Sequence, residues 1–120
     1  MIIAIDFDGT ICQNKYPEIG DPMPLAIESI KKLQEQGHDL ILWTCRQGEQ
    51  LDDAIKWCEE HGIPFDLVNE NEPNNLKAFD GVAGNKVFAN IYIDDRNLGG
   101  FPGWERAVEL IKEAEAPKLE

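Results

Sequence analysis

The chain alternates short apolar runs with segments of helical periodicity, and this alternation restricts the fold more than any other feature. Apolar runs of this kind are typical of strands buried on both faces of a sheet. They predict four strands, over residues 2–5, 40–43, 64–68 and 91–93. Apolar residues at helical spacing predict helices over residues 24–36 and 49–61 and a last helix that begins at Trp104. Strand–helix alternation indicates a parallel sheet covered by helices.

Two long segments have the composition of loops. Residues 9–23 contain glycine, proline and aspartate, and residues 69–90 are rich in asparagine, glycine and proline. A loop as long as the second one, inside a compact domain, is usually functional or mobile. The last residues, 116–120, are expected to fray. The length of 120 residues suits one domain, so we predict a single α/β domain over residues 1–120.

The charge balance excludes several classes of partner. The chain has 23 acidic residues against 11 lysines and arginines, a formal net charge of −12. Such a surface repels nucleic acids and anionic lipid, so we expect neither as a partner. The three cysteines match no zinc or redox motif, and no apolar stretch approaches a membrane span. The apolar start of the chain lacks a basic flank, so we expect a reduced, cytoplasmic protein.

Polar residues follow three of the predicted strands at their carboxyl ends. They are Asp6, Asp8, Gly9 and Thr10 after the first strand, Thr44 and Cys45 after the second, and Asp94 and Asp95 after the fourth. Lys86 lies just before the fourth strand. Ligand sites of open parallel sheets lie beyond the carboxyl ends of the strands, so we expect these residues to share one crevice.

Four aspartates in one crevice would repel one another strongly without a cation. An Asp-x-Asp pair alone is usually turn chemistry, and a lone lysine is usually a surface residue, but here each lies at the correct end of a separate strand. Oxygen ligands without histidine or cysteine favour Mg²⁺. A carboxylate beside Mg²⁺ can attack phosphorus while the metal and a lysine neutralise the phosphoryl oxygens. Gly9 would let backbone N–H groups approach a phosphate closely.

Three segments resemble the signature motifs of the haloacid dehalogenase superfamily, in the expected order: IAIDFDGTIC, LILWTCR and NKVFANIYIDDR. The resemblance implies a Rossmann-like three-layer sandwich whose central parallel sheet has the strand order 5-4-1-2-3 or a truncated form of it. Neither the interval from Asp6 to Thr44 nor that from Thr44 to Lys86 has room for a folded cap. We therefore expect no cap domain and an open site.

The resemblance also implies roles for the aspartates. Asp6 resembles the nucleophile that becomes an aspartyl-phosphate, and Asp8 the general acid and base. Mg²⁺ would be bound by the Asp6 carboxylate, the Asp8 backbone carbonyl and Asp94, with Asp95 acting directly or through water.

The same resemblance implies a phosphate site. Thr44 and the Cys45 backbone N–H would hold the phosphoryl group next to Gly9 and Thr10, and Lys86 would bridge it to Asp6. Lys77 is the competing lysine, because loop spacing in this superfamily varies.

These motifs predict a Mg²⁺-dependent phosphatase, since the dehalogenases of the superfamily lack an acid at the position of Asp8. The segment from Lys86 to Arg96 resembles 5′(3′)-deoxyribonucleotidases, so a nucleotidase-like activity is an alternative. From another class, a receiver-like or catalytically silent phosphate-binding domain also remains, although receivers place their acidic pair after the first strand. The substrate, small molecule or macromolecule, and the choice between monomer and homo-oligomer stay open. Lys15, Tyr16 and Arg96 are candidate substrate contacts, or else ordinary solvated loop residues.

Overall fold

The computed structural model describes residues 1–78, 81–82 and 84–115. Four strands form a parallel sheet: β1 (Ile2–Ile5), β4 (Asp39–Leu42), β5 (Leu67–Val68) and β6 (Ile91–Ile93). They lie side by side in the order β5-β4-β1-β6. Numbered along the chain, the four parallel strands have the order 3-2-1-4, which is 4-1-2-3 from the other edge. This is the expected Rossmann-like order 5-4-1-2-3 without its fifth strand. The predicted α/β class and central parallel sheet are confirmed.

One face of the sheet carries most of the hydrophobic core. Register pairs Ile3 with Leu40 and Ile5 with Leu42, so these side chains share a face. Three helices contribute buried residues to that core: α1 (Ala26–Glu35), α2 (Gly48–Glu60) and α4 (Trp104–Glu115). The predicted helices are correct to within two residues at their starts.

The opposite face is covered by the chain that leads into β6. Val87 and Ala89 pack there against Ala4 and Ile41. A short helix, α3 (Pro73–Ala78), corrects the prediction of a loop over residues 69–90. Both carboxylate oxygens of Glu72 accept backbone N–H bonds from the first turn of α3, and a proline opens the helix, as helix starts favour.

A β-hairpin corrects the prediction of a loop over residues 9–23. Strands β2 (Cys12–Lys15) and β3 (Glu18–Pro22) pair in antiparallel fashion directly after the first acidic motif. The hairpin is mostly exposed, so its sequence lacks the alternation of a half-buried strand. The third predicted strand, over residues 64–68, is also shorter than expected: only Leu67 and Val68 pair with β4. Residues 116–120, expected to fray, lie outside the described residues.

In the described part of the chain, no helix is long and apolar enough to cross a membrane.

Candidate active site

The carboxyl ends of β1, β4 and β6 form the floor of the candidate site. The backbone N–H of Asp6 donates to Ile93 at 2.9 Å, and the N–H of Trp43 donates to Ile5 at 2.8 Å. The three neighbouring strands therefore end side by side at the same edge of the sheet. This alignment brings the acidic ends of β1 and β6 together, as the parallel topology predicted.

Three aspartates converge at this edge. One carboxylate oxygen from each of Asp6, Asp94 and Asp95 lies within 4.8 Å of the others. All three residues are half-buried. Asp8 does not belong to this cluster, because its carboxylate faces a different partner, described below.

In the protein alone, the three carboxylates of this cluster repel one another. Burial, together with the carboxylates of Asp94 and Asp95, raises the pKa of Asp6 from 3.8 to about 8. The Asp95 Oδ1 atom is buried and has no hydrogen-bond partner among the described residues. Buried unpaired carboxylate oxygens are rare because they lose hydration without compensation. Three neighbouring carboxylates, one of which has an unsatisfied oxygen, fit a hard divalent cation such as Mg²⁺.

Gly9 makes the close approach of these motifs possible. It has φ +83°, and a Cβ atom added there would lie 2.1 Å from Asp95 Oδ2. A Cβ atom at this position would force the Asp95 side chain to move. In this structure the Gly9 N–H donates to the Cys12 carbonyl at 2.8 Å, so its role in binding phosphate stays a prediction.

Thr10 lies against the Asp6 carboxylate. Its hydroxyl lies 3.5 Å from Asp6 Oδ2, at the outer limit of a hydrogen bond. Its carbonyl accepts a 2.8 Å bond from the indole N–H of Trp104, which lies at the start of α4. Thr10 is fully buried, so it acts on Asp6 more directly than on a ligand in the crevice.

Asp8 forms a bidentate ion pair with Arg46. Arg46 Nε donates to Asp8 Oδ2 at 2.8 Å, and Nη2 donates to Oδ1 at 2.7 Å. The Arg46 side chain is 1% exposed and that of Asp8 16%. Hydrogen bonding to Asp8 raises the pKa of the Arg46 guanidinium above its ordinary value. No sequence pattern predicted this partner, which lies in a different motif.

Thr44 is held by a residue that the sequence analysis missed. The Asn69 side chain accepts a bond from the Thr44 N–H at 2.8 Å and donates to the Thr44 carbonyl at 3.0 Å. Asn69 has φ 52°, a left-handed conformation that asparagine tolerates better than most residues. An asparagine directly after a strand was the available signal. The Thr44 hydroxyl accepts a bond from the Arg46 N–H at 3.1 Å.

The remaining candidates lie at the surface. Lys86 Nζ is 4.8 Å from the centroid of the Tyr92 ring, and within the described residues it forms no ion pair. Lys77, at the end of α3, is exposed, as are Cys45 and Arg96. The choice between the two lysines, and the phosphate-binding role of Cys45, stay predictions. Lys15 and Tyr16 lie on the hairpin, and Tyr16 is 59% exposed.

Fold and site together define an α/β protein with an acidic crevice at the carboxyl ends of its parallel strands. No protein-family model matches the chain. The solved structure of a conserved protein from Bacteroides thetaiotaomicron superposes on it with a TM-score of 0.86 and shares 45% sequence identity. That similarity covers 97% of this chain and 93% of the other. The chain belongs to the same family as this conserved Bacteroides protein.

A second comparison concerns a shorter segment. Over 43 residues the chain is 37% identical to a Bacillus cereus protein named "Putative nucleotidase". The segment is 36% of this chain and 23% of that protein, so the match spans less than a quarter of the relative. The relative's name is consistent with a phosphatase-like or nucleotidase-like chemistry at an acidic crevice.

Proposed function

We propose that the chain is a Mg²⁺-dependent phosphatase of the haloacid dehalogenase type, which hydrolyses phosphoric monoesters through an aspartyl-phosphate on Asp6. The observation that carries the proposal is the convergence of Asp6, Asp94 and Asp95 at the ends of two adjacent parallel strands. The raised pKa of Asp6 and the unsatisfied oxygen of Asp95 support a cation there.

The carboxylates of Asp6, Asp94 and Asp95, with the backbone carbonyl of Asp8, would hold the ion. Bound Mg²⁺ would neutralise charge on the phosphoryl oxygens and lower the repulsion between an anionic ester and an anionic nucleophile.

The protein groups then divide the reaction into two displacements. In the first, an Asp6 oxygen forms a bond to phosphorus while the bond from phosphorus to the ester oxygen breaks. For this step Asp8 must bind a proton on one oxygen, which weakens its ion pair with Arg46, and it gives that proton to the ester oxygen. In the second, water attacks the aspartyl-phosphate, Asp8 takes a proton from the water, and the Asp6–phosphorus bond breaks. Asp8 ends as it began, so protons balance over the cycle.

The other residues would bind and orient the phosphoryl group. Thr44, the Cys45 N–H and Lys86 or Lys77 would contact its oxygens, and Gly9 would admit it close to the backbone. The Thr10 hydroxyl would hold Asp6 in the orientation for attack.

A nucleotidase-like activity on small nucleotides is the second candidate. It is favoured by the name of the Bacillus cereus relative and by the resemblance of the segment from Lys86 to Arg96. Hydrolysis of nucleoside monophosphates in preference to sugar phosphates and phosphopeptides would support it, and equal rates on all three would contradict it.

The proposal includes a reduced, cytoplasmic setting and no polyanionic partner. It is supported by three unpaired cysteines and by the net charge of −12. Burial raises the pKa of the Cys12 thiol to about 11, so this residue near the acidic motif remains a thiol rather than a nucleophile.

The decisive experiment measures hydrolysis of p-nitrophenyl phosphate with Mg²⁺ and with a chelator, in wild type, Asp6→Asn and Asp52→Asn. Asp52 is an exposed carboxylate of α2 and serves as the matched control. We expect turnover that needs Mg²⁺, falls at least ~10³-fold in Asp6→Asn and is unchanged in Asp52→Asn. Full metal-dependent turnover in Asp6→Asn would refute the assignment of the nucleophile.

A further inference from the structure

The buried guanidinium of Arg46 connects three parts of the molecule. Besides its two bonds to Asp8, Nη2 donates to the Glu18 carbonyl at 2.8 Å, and Nη1 donates to the Pro17 carbonyl at 3.1 Å and the Gln50 carbonyl at 3.4 Å. Pro17 and Glu18 form the tip of the β2–β3 hairpin, and Gln50 lies in the first turn of α2. One side chain therefore links the candidate acid, the hairpin and a core helix.

Two aromatic rings lie close to the Arg46 guanidinium. The guanidinium carbon lies 5.2 Å from the centroid of the Phe7 ring and 5.1 Å from that of Tyr16. Phe7 is fully buried, whereas Tyr16 covers the guanidinium from the hairpin side and is itself exposed to solvent. Each ring lies within the distance at which a cation is attracted to an aromatic face.

The hydrogen-bonding capacity of Arg46 is fully used. A guanidinium has five N–H donors, and five bonds leave this one, to one carboxylate and three carbonyl groups. A buried cation with unsatisfied donors would be costly, so this arrangement favours one geometry over all others. A lysine could not reproduce it, because an ammonium lacks the planar fork that grips a carboxylate at two points.

The consequence for Asp8 is geometric. Both of its oxygens accept short hydrogen bonds from the guanidinium, so the carboxylate cannot rotate freely about its terminal bond. The same guanidinium holds the hairpin tip through two carbonyls. Any displacement of the tip strains the bonds that orient Asp8.

We propose that Arg46 is a positioning residue that aims the Asp8 carboxylate and couples it to the tip of the β2–β3 hairpin, so that acid and hairpin move as one unit. The part that concerns Asp8 rests on the proposed function, whereas the coupling to the hairpin does not.

The first test compares leaving groups in Arg46→Lys. An alkyl alcohol leaves poorly unless its oxygen receives a proton, whereas nitrophenolate leaves without one. The comparison uses kcat/KM, which reports the first displacement only, because both esters share the second one. If Arg46 aims Asp8, kcat/KM falls ~100-fold for an alkyl monoester such as glycerol phosphate and less than ~10-fold for p-nitrophenyl phosphate. Equal losses on the two esters would mean that Arg46 only supports the fold, and would overturn this part of the proposal.

Arg106→Lys is the matched control. Arg106 also pairs with carboxylates, those of Glu109 and Glu113, but on the exposed face of α4. We expect the same kinetic constants as wild type on both esters. A similar selective loss in Arg106→Lys would overturn the assignment to Arg46.

The second test needs no activity. Amide hydrogen exchange at Tyr16, Glu18 and Ile19 should be at least ~10-fold faster in Arg46→Lys, while the amides of β1 exchange as in wild type. Unchanged exchange at the hairpin tip would overturn the coupling. If wild type hydrolyses no phosphate ester, the proposed function fails while this measurement still decides the coupling.

A measurement on the wild-type protein covers the case in which Arg46→Lys does not fold. The Arg46 Nε–H should exchange with water much more slowly than those of Arg96 and Arg106, and Asp8→Asn should abolish this protection. Equal exchange at the three arginines would show that the Asp8–Arg46 contact is not maintained, and would overturn the proposal.

Discussion

Asp6 and Asp8 leave the same strand end only two residues apart, yet their side chains have opposite surroundings. Asp6 lies among like charges, with Asp94 and Asp95 within 4.8 Å, and burial raises its pKa to about 8. Asp8 lies against a buried arginine that offers it two short hydrogen bonds. Arg46 supplies the counter-charge of Asp8, whereas Asp6 forms no ion pair with any residue that the structure describes. The first arrangement suits binding of a cation, and the second suits control of orientation.

The strongest way to break this comparison is to neutralise each aspartate in turn. Asp8→Asn leaves the Arg46 charge buried without its partner and should lower the free energy of unfolding by about 3 kcal/mol. Asp6→Asn removes one of three mutually repelling groups and should stabilise the metal-free protein at pH 8. Urea denaturation in the presence of a chelator measures both. Destabilisation by the same amount in both variants would show that the two surroundings do not differ in the way described.

A second prediction uses glycine to separate crowding from backbone strain. Gly9→Ala places a Cβ 2.1 Å from Asp95 Oδ2 and also forces alanine to φ +83°. Gly37→Ala imposes nearly the same strain, φ +86°, with no atom within 4 Å. Strain alone should cost both variants about 1–2 kcal/mol, but only Gly9→Ala should weaken Mg²⁺ binding, by at least ~10-fold.

Calorimetric titration with Mg²⁺ and thermal unfolding distinguish these effects. Unaltered Mg²⁺ affinity in Gly9→Ala would contradict the position of Asp95 in the cluster.

The third prediction concerns pH and sharpens the contrast at Asp6. Its folded-state pKa of about 8 exceeds the ordinary value of 3.8, so between these values the folded protein binds more protons than the unfolded chain. The stability contributed by protonated Asp6 is complete below pH ~4 and is lost as the pH rises through about 8. We expect Tm of the metal-free wild type, relative to Asp6→Asn, to fall across this range.

Saturating Mg²⁺ should remove that dependence, because the bound cation favours the ionised carboxylates. Thermal melts of both proteins at several pH values, with Mg²⁺ and with a chelator, provide the measurement. A wild-type curve parallel to that of Asp6→Asn in chelator would contradict the electrostatic strain in the cluster.

The sequence predicted the acidic cluster because that cluster follows from topology. Strands β1, β4 and β6 are apolar runs that alternate with helices, which indicates a buried parallel sheet, and parallel strands place their carboxyl ends at one edge. Asp6, Asp94 and Asp95 are attached to those ends, so their convergence needs no knowledge of side-chain partners.

The partners of Asp8 and Thr44 could not be predicted in the same way. Arg46 reaches Asp8 and the hairpin through side-chain and carbonyl contacts between residues far apart in the chain, and such contacts leave no periodic pattern. The hairpin was missed because its strands are exposed and bury little apolar surface. The Asn69 side chain replaces the backbone of a neighbouring strand, but asparagine is also a common loop residue, so its residue type was no reason to single it out.

The smallest expected effect concerns the Asn69 side chain at the end of β4. Beyond Leu42 the ladder between β4 and β5 ends, and the Asn69 side chain continues it by bonding both backbone groups of Thr44. Asn69→Gly keeps a residue that tolerates φ 52° and removes only the clamp, which should cost about 1–2 kcal/mol. Asn69→Ala adds the strain of a left-handed alanine and should cost about 1 kcal/mol more.

Urea unfolding of the two variants separates the loss of the two hydrogen bonds from the cost of backbone strain, and amide exchange at Thr44 should accelerate equally in both. If exchange at Thr44 stayed slow in Asn69→Gly, the end of β4 would hold Thr44 without the Asn69 side chain. Thr44 would then resemble Asp6, which is placed by its strand end, rather than Asp8, which is held by a partner side chain.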